Sequence, residues 1–387
     1  MRHIHTGIDI GTYYVKVVVS EEGDNGVLRI VGTGTAVNKG MRHGYIVNAK
    51  DTTESIQEAV SHAERSASVK VKSARIAIGG VSLDEINAVG DISLATSGGE
   101  VTPQDVERVI RDAEQRSVSQ LMNRKVIHAI PTSFQVDKRQ VFGRPTGLQG
   151  SKLTAQVLLI TTLEQHLQDL IEAVEAADIE VEDVMAAPLA ASLVSLSKPQ
   201  KMAGVILANI GAETVSIAVF ENDIPISIKV LPMGSADITN DIALSLQIPL
   251  TEAEQMKRGA ITKTDVSRKK VEDVISSRLK DIFSIIDAHL KSIGRQKLLP
   301  AGIVITGGGS GITTARDIAK ATMKIPSQLG TLPIATRTAN ADATWAVAFG
   351  LCKWGHTTER NEHARGVGDF FKRMSREIIK TLKGLLP

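Results

Sequence analysis

Apolar residues open the chain, break at a short polar turn and resume. The segment GIDIGTYYVKVVVSE carries Asp9, Gly11 and Thr12 at that break. The segment ANIGAETVSIAVFEN repeats the frame in the second half, with Asn209 and Gly211 in the matching places and Thr214 in its turn. Each copy predicts a β-hairpin whose tight turn presents backbone N–H groups. Concave turns of this kind bind anions because their N–H dipoles converge. One such turn in each half suits two domains holding a phosphate tail from opposite sides.

The rest of the pattern alternates strands with helices. To about residue 80, VKVVVS, VLRIVGTGTAV and SARIAIGG read as strands around a helix at TTESIQEAVSHAERSA, for which Thr53 and Ser55 supply the N-terminal cap. From 81 to 162, strands INAVGDISL, KVIHAIPTSFQVD and TAQVLLITT surround a helix opened by Thr102-Pro103, with Val106, Val109, Ile110 and Ala113 on one face. Helices LEQHLQDLIEAVEAADI and PLAASLVSL follow, then a polar break at Lys198, Pro199, Gln200 and Lys201. Beyond the second hairpin, ADITNDIALSLQ, TEAEQMKRG and VEDVISSRLKDIFSIIDAHLKSI are amphipathic. GIVITGGGSGI predicts a buried strand, a glycine turn and a helix start. DATWAVAFGLCKW closes the folded body, and residues 355–365 read as a polar linker. Strands and helices alternating in both halves imply an α/β fold with two related domains facing a cleft.

A length of 387 residues calls for two or more domains. Aromatics at 3% leave the cores to Val, Ile, Leu and Ala. The lone Cys352 excludes an intramolecular disulfide and fits a reducing cytosol. The N-terminus enters a strand directly, without a signal peptide's apolar stretch. No run reaches the roughly 18 apolar residues of a membrane span.

Net charge is +2, unevenly placed. Residues 366–387 set Lys372, Arg373, Arg376, Lys380 and Lys383 against Asp369 and Glu377, so the remaining chain is slightly acidic. That argues against a nucleic-acid surface on the body. At about 100° per residue, Val367, Phe370, Phe371, Met374, Ile378, Leu382 and Leu385 of this tail fall on one face and the basic residues on the other. The composition is that of a helix lying in a bilayer surface, to which Ile379 also contributes. The plainer alternative is a terminal helix docked on the body.

Candidate chemistry gathers around the turns. Asp9 would hold a hydrated Mg2+ beside phosphates, since magnesium keeps several waters and takes one or two carboxylates. Its bland reading is a turn former; the second copy favours phosphate binding. Lys16 would place a point charge on a phosphate. Gly307, Gly308 and Gly309 follow the apolar run Ile303–Ile305 and let a flat base or sugar approach the backbone. Glu254 and Lys257 share a helix face, either bracketing ribose hydroxyls or forming a solvated pair. His3 and His5 read as surface residues, and the nine histidines show no metal-ligand spacing. No Ser/His/Asp frame, Walker-type loop or catalytic base for phosphoryl transfer to a small substrate stands out.

GIDIGTYYVKVVV, IHAIPTSFQVDKRQVFGRPTGLQGSKLTAQ, MAAPLAASL, ANIGAETVSIAVF, GSADITNDIAL with AEQMK, VEDVISSRLKDIF, ITGGGSGI and the terminal helix together resemble the FtsA family of actin-like bacterial division proteins, across essentially the whole chain. The phosphate turns and glycine cluster are common to actin-like ATPases; the block from the 120s to the 160s and the tail are more specific. The resemblance implies an actin-like (ribonuclease H-like) two-domain fold. It divides into 1–80 with 163–198 and 335–354 (subdomain 1A), an inserted 81–162 (1C), 199–245 with 300–334 (2A), 246–299 (2B), the linker 355–365 and a membrane-targeting helix 366–387.

It also implies ATP and Mg2+ as ligands, with nucleotide contacts from Gly11, Thr12, Tyr13, Lys16, Asn209, Gly211, Ala212, Glu213, Thr214, Gly234, Glu254, Lys257, Gly307, Gly308 and Gly309. Further implications are self-association into protofilaments, the FtsZ C-terminal peptide and other divisome proteins as partners with Arg278 on the partner surface, and a peripheral place on the cytoplasmic face of the inner membrane at the division site. Membrane contacts would come from Phe370, Phe371, Lys372, Arg373, Met374, Arg376, Ile378, Ile379, Lys380, Leu382, Lys383 and Leu385. A PilM-like component of a pilus or secretion platform is the alternative, sharing much of the fold. Two departures stand out. Asn209 replaces the superfamily's usual Asp, and an amide offers no negative charge to a metal's water shell, so at most a slow ATPase is expected. The stretch from Lys257 to Val271 is short, as if lacking a β-hairpin.

Overall fold

The computed structural model describes residues 3–23, 27–94, 99–260, 267–332 and 342–363, with side chains through 358. Among them, the Val- and Ile-rich runs form two five-stranded sheets of one topology. In the first lobe, Ile4–Ile10, Tyr14–Glu22 and Leu28–Val37 make an antiparallel meander; Ser73–Ile78 and then Glu180–Ala186 extend it in parallel. In the second, Val205–Ile210, Val215–Glu221 and Ile224–Leu231 repeat the meander; Ile303–Thr306 and Ser327–Leu329 add the parallel strands.

Parallel neighbours need long crossovers, and these hold the helices. Ala49–Ala67 links two strands of the first sheet. Ser235–Leu246, Leu250–Lys257 and Arg268–Ser292 fill the long crossover of the second. The first lobe's last crossover carries an insert, whose strands Asp84–Ser93, Arg124–Val136, Arg139–Val141 and Lys152–Leu163 form an antiparallel sheet. Helix Pro103–Arg116 packs on it through buried Val109, Ile110 and Ala113, with Val106 partly buried. The Thr102 hydroxyl accepts from Asp105 N while the Asp105 carboxylate accepts from Thr102 N, a reciprocal cap.

Several expectations change. Asn48, extended at φ −142°, caps helix Ala49–Ala67, and Thr53 and Ser55 lie inside it. Their hydroxyls donate to Ala173 O at 3.2 Å and Asp51 O at 2.7 Å. The break at 198–201 belongs to the short helix Lys198–Ala203, capped by Ser197. Residues expected as a linker from 355 continue the helix Ala346–His363. Polarity alone does not stop a helix, and 356–363 contain neither Gly nor Pro. His356 is buried beside Glu22 and packs edge-on against His5, which is 1% exposed rather than on the surface. Position 5 faces this helix from strand Ile4–Ile10. Between 246 and 299 the described residues contain no strand. Residues 364–387, with the end of the expected linker and the amphipathic tail, lie outside the described residues. Among the described ones, no helix is long and apolar enough to cross a membrane.

Candidate functional site

The two hairpins fold alike. Gly11 N donates to Tyr14 O at 3.0 Å, and Gly211 N to Thr214 O at 2.8 Å. In both turns a Cβ on the glycine would stand 2.9 Å from that same carbonyl, so the turn closes this tightly only on glycine. Strand register sets Asp9 opposite Lys16 and Asn209 opposite Ser216. Each turn has its own buttress. Asn38 Nδ2 donates to Gly11 O at 2.9 Å, while Ser235 N and Ala236 N donate to Gly211 O and Ala212 O at 2.9 and 2.8 Å.

Both turns open on one cleft of about 1130 Å³ between the lobes. On the first-lobe wall, Lys16 Nζ donates to Thr344 O at 2.7 Å and lies over the Trp345 ring. Burial pushes the Asp9 carboxyl up to about 6, against the pull of Lys16. Burial also lowers the Lys16 ammonium, with Asp9 and Asp342 pulling it back. A buried acid and base that each disfavour their charged form are suited to a polyanion and its cation, which restore both charges. Among the described residues no group of three His, Cys, Asp or Glu converges, and a hydrated magnesium ion requires no such group.

The second-lobe wall is a knot of polar side chains. Lys257 Nζ meets Glu254 Oε2 at 2.6 Å and donates to Thr239 Oγ1 at 2.8 Å and Ser235 O at 2.9 Å. Burial raises Glu254, but hydrogen bonds from Lys257, Thr239 and Arg258 outweigh it and hold the carboxyl below its ordinary value. This is a part-buried, ordered pair on the cleft wall and not a solvated one. Gly307, at φ +81°, passes so near Asn209 that an added Cβ would lie 2.2 Å from its Oδ1. Gly308 and Gly311 face open space.

Asp9, Gly11, Thr12, Tyr13, Lys16, Asn209, Gly211, Ala212, Thr214, Glu254, Lys257, Gly307 and Gly308 thus line one cleft. Three expected residues do not. Gly309 is buried against Ile210, and Gly234 packs against the Ala212 carbonyl under the second turn. Glu213 turns its carboxylate to the opposite lobe, accepting from His43 N at 2.6 Å. Arg278 stands away from the cleft, in a two-pronged ion pair with Asp241 at 2.6 and 2.9 Å. Sequence reasoning missed Asn38, His43, Thr239, Thr344 and Trp345. Each comes from a segment remote from the turns, with no local pattern to mark it.

Comparison with known proteins bears on this geometry. The family model of the cell division protein FtsA matches residues 206–350, and that of the SHS2 domain inserted in FtsA matches 80–161. The cell division protein FtsA of Pseudomonas aeruginosa is 31% identical over 345 residues, 84% of this chain and 82% of its own. The chain belongs to the FtsA family. Its fold is actin-like: the PilM–PilN type IV pilus biogenesis complex superposes with a TM-score of 0.69 at 18% identity, over 91% of this chain and 98% of that one. MreB5 of Spiroplasma citri, solved with AMPPNP, gives 0.53 at 11%, over 94% and 98%. At such identities the likeness concerns the fold alone, so the pilus reading yields to the FtsA family.

Proposed function

We propose that this FtsA-family protein is an ATP-binding, polymerising adaptor that tethers the FtsZ ring to the cytoplasmic face of the inner membrane and helps recruit the divisome. The observation that carries the nucleotide reading is the pair of glycine turns, closed by the same hydrogen bond and opening on one cleft. The glycines let each turn close tightly on its own carbonyl at the cleft, and a nucleotide-bound fold relative supports the same use of the cleft. The turn backbones and Lys16 would hold the phosphates, Asp9 the hydrated Mg2+, and the Glu254–Lys257 pair with Gly307 and Gly308 the nucleoside. A bound nucleotide triphosphate supplies charge and shape bridging the lobes; with Asn209 in the second turn, its hydrolysis is slow or absent. FtsZ, through its C-terminal peptide, and other copies of this chain are the partners, with Arg278 near the peptide surface.

The membrane part rests on the sequence pattern of 366–387. Five basic residues near an anionic leaflet contribute up to roughly 1 kcal/mol each, and ordering the helix takes some of this back. One copy would bind weakly, and several on one polymer firmly through effective concentration. Co-sedimentation with anionic vesicles, with and without ATP and Mg2+, tests this on the full chain and on one ending at residue 365. The full chain should pellet, more so with ATP, and the shortened one should stay in solution. Equal pelleting of both would remove the anchor.

A further inference from the structure

Glu213 is a carboxylate placed in a turn otherwise built to receive phosphate. A free negative charge there would oppose a polyanion, yet its oxygen is already committed across the cleft. Oε2 accepts from His43 N at 2.6 Å, and the His43 ring Nδ1 lies 3.2 Å from Glu213 O. We infer that Glu213 and His43 form a clasp joining the two lobes over the phosphate end of the cleft, and that this clasp holds the bound nucleotide in by resisting lobe opening. The inference rests on the nucleotide reading of the cleft.

Both halves of the clasp are rigidly presented. His43 sits in the left-handed region at φ 48°, a conformation that must be held by its surroundings. Its neighbour Gly44 packs backbone to backbone on Gly80, where a Cβ on Gly44 would fall 2.3 Å from the Gly80 Cα. Val81 N donates to His43 O at 3.3 Å, fixing the other side of that contact. Opposite, Ala212 is pinned by Ala236 N, so the turn bearing Glu213 cannot swing alone. Gly44 and Gly80 line the same cleft as Gly211, Ala212 and Thr214. The clasp therefore spans from one wall to the other beside the turns. Separating the lobes stretches it before either turn deforms.

The sign of a substitution separates this role from a purely electrostatic one. Glu213→Ala removes the acceptor, whereas Glu213→Gln removes the charge and keeps a carbonyl oxygen for the His43 N–H. The test follows release of a fluorescent ATP analogue with Mg2+ from the full chain by stopped flow. Glu213→Ala should release it at least tenfold faster than wild type, and Glu213→Gln should stay within about threefold. The thermal midpoint without nucleotide should be unchanged in both. Release from Glu213→Ala no faster than from wild type, or slower from both variants, would overturn the clasp. A His43→Cys/Glu213→Cys variant gives an independent reading, because the natural Cys352 is buried with its thiol pushed up to about 12. A short bis-maleimide should join the two new cysteines, and joining should slow release. Absence of the cross-link sinks the clasp even if nucleotide binds. Cross-linking in a protein that takes up no analogue instead sinks the nucleotide reading and the retention role with it, leaving only a contact between lobes.

Discussion

At the scale of single residues, the cleft combines groups whose burial is deliberate with one whose chemistry is muted. Asn209 sits opposite Ser216, where the first hairpin carries Asp9, and an amide neither offers negative charge to a metal's waters nor takes a proton. Phosphate release from ATP by the wild-type protein should stay near background, and Asn209→Asp should raise it measurably; brisk turnover by the wild type would contradict this. His128 is a second case, buried between the insert and the first sheet, where its Nε2 accepts from Ala186 N at 3.1 Å. Burial lowers its pKa from 6.5 to about 4. The folded state thus takes up the proton less readily than the unfolded chain. Its contribution is intact above pH 6.5, falls as pH drops toward 4, and levels off below. At about 1.4 kcal/mol per pH unit the loss is on the order of 3–4 kcal/mol. Urea midpoints at pH 7.5 and 5 should therefore differ more for wild type than for His128→Gln. The turn glycines were legible from sequence because their spacing repeats, and Asp9 and Lys16 because they flank the first of those turns. The outward turn of Glu213 was not, since its partner lies 170 positions away.

Among the elements, those with strong local signals were the readable ones. The helix over 103–116 follows from its apolar period and its Thr102-Pro103 start, and the hairpins from their β-rich runs around a Gly turn. Helix Ala346–His363 shows the limit, because its polar second half is helical through continuity with a packed first half. That first half crosses helix Ala187–Ser195 in backbone contact. A Cβ at Gly350 would lie 1.9 Å from Ala190 O. Gly350→Ala must push the two helices apart, and overpacking of this kind costs about 1–3 kcal/mol. A lowered thermal midpoint is expected for the variant, and an unchanged one would show that the crossing relaxes freely.

For the whole molecule, the insert is more than an attachment to the first lobe. Its Glu85 accepts from Ser227 Oγ at 2.8 Å and from the Ile228 backbone N–H, on the edge strand of the second sheet, and Ser227 also meets His289 at 2.9 Å. Asp84 adds an ion pair with Lys229 at 3.2 Å. The insert is thus tied by chain to one lobe and by hydrogen bonds to the other. Glu85→Ala strands a part-buried N–H at a cost of about 1–3 kcal/mol. Hydrogen exchange at Ile228 should speed up at least fivefold, while helix Pro103–Arg116 keeps its protection; equal protection at Ile228 would mean that the brace is idle. The sequence by itself determined most of the elements, the twofold repeat of the sheet pattern and the paired glycine turns, because periodicity and glycine spacing act within a few residues. Tertiary structure alone decided which groups meet across the cleft, how far Asp9 and His128 are buried, and where the insert docks. Those depend on contacts between segments far apart in the chain, and no local pattern encodes the distance that folding closes.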